Sequence, residues 1–291
     1  MAEILPNVWL DGDIVPAGQA RISPLDRGFL FGDAVYEAMP VCGGRVVGES
    51  EHLARLDRSL GAIGIRNPAD DTGWRRLFAR LVEANGGGDM FLYLQVSRGA
   101  DAGRDHRFPA DTETTVLAMA MHWRPPREAD YPTGVNAALV PDQRWARCDI
   151  KSTSLLANVL ARQDAAERGA AEAILHRDGW VTEGAASTIA IVTGGTLLAP
   201  PPDPSVLPSV TLQLAWTVAE DEGIPRARRR FKVDELLEAD EVIMLASSRE
   251  LVPVGRVDDT TIGTGAPGPL WQRLFRGYQQ AHHGQRAESH A

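Results

Sequence analysis

The chain has 291 residues, room for two compact units or one large one at about 150 residues per domain, and enough to bury roughly three-quarters of its unfolded surface. With 44% hydrophobic and 24% charged residues it has the mix of an ordinary globular protein, and its formal net charge of -9 argues against nucleic acid or an anionic membrane as main partner. Cys42 and Cys148 show no metal-ligand spacing and fit a reduced, cytoplasmic setting; no apolar run reaches the ~18 residues of a membrane span, and the start Met1-Ala2-Glu3-Ile4-Leu5-Pro6 lacks the pattern of an export signal.

In chain order, Val8-Trp9-Leu10, Asp11-Gly12 and Ile14-Val15 carry a hairpin signature. Ala34 to Val41 reads as a strand before a Gly43-Gly44 turn. Glu51 to Ile63 reads as a helix with Leu53, Leu56, Leu60 and Ile63 on one stripe, and Thr72 to Asn85 as another, ended by Gly86-Gly87-Gly88. Phe91 to Val96 and Thr115 to Met121 read as strands joined by a long polar loop, Ser97 to Asp111. The Pro-rich, charged run Trp123-Arg124-Pro125-Pro126-Arg127-Glu128-Ala129-Asp130-Tyr131-Pro132 has a linker's composition, which sets a domain over 1–123, a linker over 124–132 and a second domain over 133–281.

In the second half, Val135 to Val140 reads as a strand and Leu155 to Arg168 as a helix ended by Gly169. Two hairpins follow, around Asp178-Gly179 and Gly194-Gly195. Ser209 looks like the N-cap of a helix running to Asp221. Glu241 to Ala246 reads as a strand and Leu270 to Gln280 as the last helix; the polar stretch 282–291 reads as a frayed tail, where His282-His283 are solvent-exposed rather than metal-binding. The pattern is mixed α+β in two halves, without the regular alternation of a doubly wound sheet.

Of the 30 basic residues only two are lysine, Lys151 and Lys232. A guanidinium can replace an ammonium as a point charge, but not as a primary amine that must lose its proton and attack a carbonyl. Lys232, in Arg228-Arg229-Arg230-Phe231-Lys232, belongs to a solvated charge run. Lys151 stands where a polar edge meets the start of an apolar helix, and the local pattern leaves both a reactive and a surface role open.

Four motifs in order decide more: Asp26-Arg27-Gly28-Phe29-Leu30-Phe31-Gly32-Asp33-Ala34-Val35-Tyr36-Glu37, His52-Leu53-Ala54-Arg55-Leu56, Arg147-Cys148-Asp149-Ile150-Lys151-Ser152, and Glu172-Ala173-Ile174-Leu175 leading to Val181-Thr182-Glu183-Gly184. Over about Asp11 to Val254 the sequence resembles the fold-type IV pyridoxal-phosphate enzymes, and among them the D-amino acid aminotransferases. The resemblance implies an α+β two-domain enzyme with an N-terminal α/β sandwich-like domain and a C-terminal pseudo-barrel α/β domain that binds pyridoxal 5'-phosphate. It implies that Lys151 forms a Schiff base with the cofactor aldehyde, its amine depressed from the ordinary value near 10.4. Glu183 matches the carboxylate that keeps the pyridine nitrogen protonated so that the ring accepts electrons. Arg55 matches the phosphate arginine, with Ser209, Val210 and Thr211 as a backbone cup, Ser247 and Ser248 adding hydroxyls and Leu207 against the ring face. Here the chain departs from the family: Ser209-Val210-Thr211-Leu212 replaces the usual Gly-Ile-Thr-Arg, and Ala185-Ala186-Ser187 a run of serines.

Arg104 and His106, two apart in an extended loop, point the same way and can grip a carboxylate; with Tyr36 they match the substrate-binding set that, in the D-amino acid aminotransferases, reaches into the neighbouring subunit. Tyr36, Ala38 and Pro40 share one strand face, the last two small enough to admit a side chain, while Arg249 reads as a surface residue. The activity implied is transamination from a D-amino acid to an α-keto acid in a cytoplasmic homodimer, without metal. A lyase of the same fold, of the aminodeoxychorismate lyase kind, and an aminotransferase for (R)-amines or branched-chain amino acids are the alternatives.

Overall fold

A computed structural model describes residues 3–284 of the chain. It divides into two compact units at Arg124/Pro125, with Ile150–Leu155 folding into the first although it lies within the second half of the sequence.

The first unit is built on a six-stranded antiparallel sheet formed by β1 (Ile4–Leu10), β2 (Asp13–Pro16), β3 (Ala34–Cys42), β4 (Arg45–Val46), β5 (Met90–Ser97) and β6 (Thr115–His122), in the order β2-β1-β6-β5-β3-β4. The first turn has positive φ at Asp11 and Gly12, the geometry that an Asp-Gly hairpin accepts. Helices α2 (Glu49–Ala62) and α3 (Asp71–Ala84) cover one face, where Leu53, Leu56, Leu60, Trp74, Leu77 and Leu81 meet Met39, Leu92 and Leu94. The expected stripe is therefore the buried one, with Ile63 only half-buried past the helix end.

Between β2 and β3 lies a five-residue helix, α1 (Arg27–Phe31), that periodicity does not reveal. Asp26 caps it by accepting from Gly28 N at 2.8 Å, and Gly32 ends it in the left-handed region. The Asp26 carboxylate also accepts from Ser97 Oγ and Thr115 Oγ1, tying α1 to both ends of the polar loop that follows β5. That loop is closed at Gly99, whose φ of 90° suits glycine and where a Cβ would run into the Glu113 carbonyl.

The second unit is built on a nine-stranded mixed sheet of β7 (Val135–Pro141), β8 (Glu172–Arg177), β9 (Trp180–Gly184), β10 (Thr188–Thr193), β11 (Thr196–Ala199), β12 (Arg226–Arg228), β13 (Glu241–Ala246), β14 (Glu250–Val257) and β15 (Thr260–Thr261). The order is β12-β11-β10-β13-β14-β7-β8-β9, with β15 beside β14. Helix α4 (Leu156–Glu167) packs Ala161 and Ala165 on β7 and β8. Helices α5 (Val210–Asp221) and α7 (Pro269–His283) meet Ala190, Val192, Ile243 and Leu245, while Ile189, Ile191, Val242 and Met244 point to a second core with Phe231 and Leu236, the latter from α6 (Val233–Leu237). The alternation is the two-residue period of strands buried on both faces.

Two sequence expectations are corrected. Part of the linker run packs within the second unit: Glu128 pairs with Arg276 through two 2.8 Å contacts and the Tyr131 ring meets Trp271 edge-on at 5.8 Å. The expected fraying from His282 does not begin there: α7 continues to His283, whose side chain is 3% exposed and bonds the buried Glu250 carboxylate at 2.6 Å, because that carboxylate needs donors and Gln279 and His283 supply them. Residues 285–291 lie outside the described ones. Among the described residues, no helix is long and apolar enough to cross a membrane.

Asp26→Ala leaves three donors around the start of α1 without their acceptor, so it should destabilise the chain by about 3 kcal/mol or more in urea denaturation; a loss under about 1 kcal/mol contradicts the anchoring role.

Candidate active site

In the first unit the site residues gather on β3. Lys151 is laid alongside that strand by backbone bonds: Ser152 bridges Val35, Tyr36 N donates to the Lys151 carbonyl at 2.9 Å, and Lys151 N donates to Ser59 Oγ at 3.3 Å. The Lys151 Nζ sits 4.1 Å from the centroid of the half-buried Tyr36 ring, a cation–π contact that fixes the end of a flexible side chain. Tyr36 in turn stacks on Tyr93 at 5.5 Å; burial, with Tyr36 beside it, pushes the Tyr93 phenol up to about 12, so it stays protonated and donates to Gln95 Oε1.

Tyr36 and Glu37 point to opposite faces of β3, and Glu37, 1% exposed, meets the start of α2. There Arg55 Nε and one terminal nitrogen donate to the Glu37 carboxylate at 2.8 and 2.7 Å, and His52 Nδ1 stands 2.7 Å from it. Burial by itself would raise the Glu37 carboxyl, but the charges and hydrogen bonds of Arg55 and His52 outweigh it and hold the group well below the usual carboxylate range. The His52 imidazole is held below its ordinary value, burial outweighing the pull of Glu37. The guanidinium expected to meet a phosphate is therefore buried and oriented by a carboxylate on its other edge.

In the second unit Glu183 lies on β9, 5% exposed, rather than at a solvated hairpin edge. Arg144 forms an ion pair with it, and Leu207 N donates to its other oxygen at 3.0 Å. Arg144 is itself gripped by Asp142 through Nε at 3.0 Å and a second nitrogen at 2.9 Å, while Thr182 Oγ1 donates to Asp142 at 2.9 Å. Burial favours the neutral Asp142, but Arg144 and Thr182 overcome it and lower its pKa; the Arg144 guanidinium is raised further because its two carboxylates outweigh desolvation. The residues expected to form the cup lie at the start of α5 and just past β13. Ser209 Oγ accepts from Leu212 N at 3.1 Å, as a cap should, and the buried Thr211 hydroxyl lies 3.4 Å from Ser247 Oγ. Ser248 is exposed, Val210 is buried, and Leu207 lines a cavity of about 200 Å³ with Ser209. Ser187 hydroxyl donates to Glu172 at 3.2 Å, so the departed serine run leaves this one in a structural bond.

Arg104 and His106 are exposed on their loop and converge on one ring: the Arg104 guanidinium carbon lies 5.0 Å from the Phe31 centroid and the His106 ring 5.2 Å from it. Arg249 is half-buried, its carbonyl near the Tyr131 hydroxyl.

Sequence reasoning did not single out Glu37, His52, Asp142 or Arg144. The available signals were an acid inside an otherwise apolar strand, a His and an Arg three apart on one helix face, and an Asp and an Arg two apart just past a strand.

The two-unit α+β fold is one that solved structures share. The branched-chain amino acid aminotransferase of Escherichia coli matches with a TM-score of 0.90 over 98% of this chain and 97% of that one, at 22% identity. That of Thermoproteus uzoniensis, with norvaline, matches with a TM-score of 0.83 over 96% of this chain and 94% of that one, at 26% identity. In sequence, a D-alanine aminotransferase of Staphylococcus haemolyticus is 34% identical over 282 residues, 95% of this chain and 98% of that protein. One of Bacillus licheniformis is 36% identical over 275 residues, 94% and 96% of the two chains. The family model described as amino-transferase class IV matches residues 34–257, and the chain belongs to that family.

Arg144→Ala removes the counter-charge of a buried Glu183 and should cost about 3–5 kcal/mol at neutral pH. The wild-type Asp142 pKa is lowered on folding, so its contribution is present above the unfolded value of about 3.9 and is lost as pH falls through the folded one. In the variant the sign reverses, because protonation relieves the uncompensated charge: the deficit relative to wild type should shrink from pH 8 to pH 5 in urea melts. A deficit that grows on acidification contradicts the pairing.

Proposed function

We propose that the chain transfers an amino group from a D-amino acid to an α-keto acid, with pyridoxal 5'-phosphate as cofactor. Full-length similarity to D-alanine aminotransferases supports the reaction. The observation that carries it is Lys151: backbone bonds lay it along β3 with its Nζ over the Tyr36 ring, and it is half-buried, whereas the other lysine, Lys232, is exposed and lies beside Trp180.

The donor sets fit the cofactor's chemistry. Glu183, ion-paired with Arg144, suits a ring N–H; the N-terminal amides of α5 with the Thr211 and Ser247 hydroxyls suit a phosphate, as does the Arg55 guanidinium oriented by Glu37. When bound, pyridoxal phosphate supplies an aldehyde that condenses with amines and a ring that withdraws electrons. In this reading Lys151 is the attachment point, and once released its Nζ takes the proton from the substrate α-carbon and returns it. Glu183 holds the proton on the ring nitrogen, and Leu207 packs on the ring face. Ser209, Val210, Thr211, Ser247, Ser248 and Arg55 hold the phosphate. Arg104, His106 and Tyr36 hold the α-carboxylate, while Ala38 and Pro40 leave space for the side chain.

A homodimer belongs to the same proposal, since a loop that completes a neighbour's site leaves one copy incomplete. Leu156, Val159 and Leu160, 72%, 58% and 59% exposed within one turn and a half of α4, give an apolar face that a second copy would cover. Cys42 and Cys148, both buried, fit the cytoplasmic setting.

The discriminating experiment supplies D-alanine, L-leucine and an (R)-arylamine as donors, each with pyruvate or 2-oxoglutarate. D-Alanine should be converted; turnover of only one of the others overturns the substrate assignment. Lys151→Ala should abolish turnover and the borohydride-sensitive absorbance of the purified protein, and a variant at normal rate refutes the attachment point. Glu183→Gln should lower the rate roughly a hundredfold or more and shift that absorbance. A fully active monomer in light scattering contradicts the dimer.

A further inference from the structure

Past the buried Ser97–Gly99 neck, residues 100–111 are mostly exposed and polar, a composition that by itself gives no fixed shape, yet the recognition residues are held by α1. Arg27 is 3% exposed although it begins a short helix at the surface. Its Nε pairs with Asp33 at 2.8 Å, and its two terminal nitrogens reach the backbone carbonyls of Asp105 at 2.6 Å and His106 at 3.3 Å. The guanidinium carbon also stands 4.8 Å from the Phe31 ring, the ring on which Arg104 and His106 converge. Asp33 is shared: Arg98 donates to both of its oxygens at 2.8 and 3.0 Å, anchors on the carbonyls of Ile63 and Gly64, and lies 3.6 Å from the Phe108 ring. A planar fork that bonds two consecutive carbonyls fixes the backbone between them, and an aromatic face fixes where a guanidinium and an imidazole rest.

We propose that Arg27 and Phe31 are positioning residues for substrate recognition, holding the 104–106 segment in the shape in which Arg104 and His106 grip the α-carboxylate. The inference rests on the role given to that pair under the proposed function. Neither residue needs to touch substrate; each lowers the cost of ordering the loop before substrate arrives.

The test measures D-alanine and pyruvate kinetics of the holoenzyme for Arg27→Lys, Phe31→Leu, Arg104→Ala and the double variant Phe31→Leu/Arg104→Ala. Arg27→Lys keeps the charge beside Asp33 but loses the fork, and Phe31→Leu keeps bulk but loses the ring. Both should raise KM on the order of tenfold with kcat within about threefold of wild type, since only binding geometry is disturbed. The double variant should lose less than the product of the two single effects, because part of what Phe31 does runs through Arg104 and only the rest through His106. If Arg27→Lys does not fold, Phe31→Leu decides the matter. A KM within about twofold of wild type in the folded variants, or independent effects in the double variant, overturns the proposal. A wild-type enzyme that leaves D-alanine unconverted removes the reading it rests on, and the proposal with it.

Discussion

A carboxylate taken out of water must find a cation and enough donors, or it forces its neighbourhood to change. This constraint recurs among the candidate residues of each unit. Glu37 is met by Arg55 and His52, Asp33 by Arg27 and Arg98, and Glu183 and Asp142 by Arg144. In each group a guanidinium donates through more than one nitrogen, which an ammonium cannot do. The 28 arginines beside two lysines thus have a local meaning here: where charge must be oriented the residue is Arg, and the amine proposed to react is Lys151.

Much of the fold could be read in advance because the informative elements are local. The Asp11-Gly12 turn, the α2 stripe and the Ser209 cap depend on residues a few positions apart, and each is where its pattern puts it. The elements that escaped depend on distant partners. Helix α1 is five residues long, too short for a period, and stands because Asp26 reaches Ser97 and Thr115. Strand β14 contains Pro253 and Gly255, which argue against a central strand, yet it runs between β13 and β7. The irregular register beside β7, between Val254 and Arg256, shows how the ladder accommodates them.

The candidate site divides along the same line. Lys151, Arg55, Glu183, Arg104 and His106 were nameable because the family resemblance carries them residue by residue. Their supports were not, because the local signals, an acid in an apolar strand and an Asp and an Arg two apart, do not say which partners Glu37 and Arg144 meet once the chain folds. His283 shows the error in the other direction: two histidines near the end of a polar sequence look solvated, whereas one of them satisfies a buried glutamate that itself has a positive φ.

The closure at Gly99 has a bearing on how this protein can change. The Arg27 amide bonds the Gly99 carbonyl, Asp26 and Ala100 form a bridge, and no side chain fits at the glycine. The neck of the loop is locked, while its tip is held through the Asp105 and His106 carbonyls and through ring contacts to Phe31 and Arg98. Residues 100–112 therefore behave as a replaceable cassette: their sequence can drift toward a new selectivity with little penalty to the sheet beneath, provided the neck and these contacts are left alone.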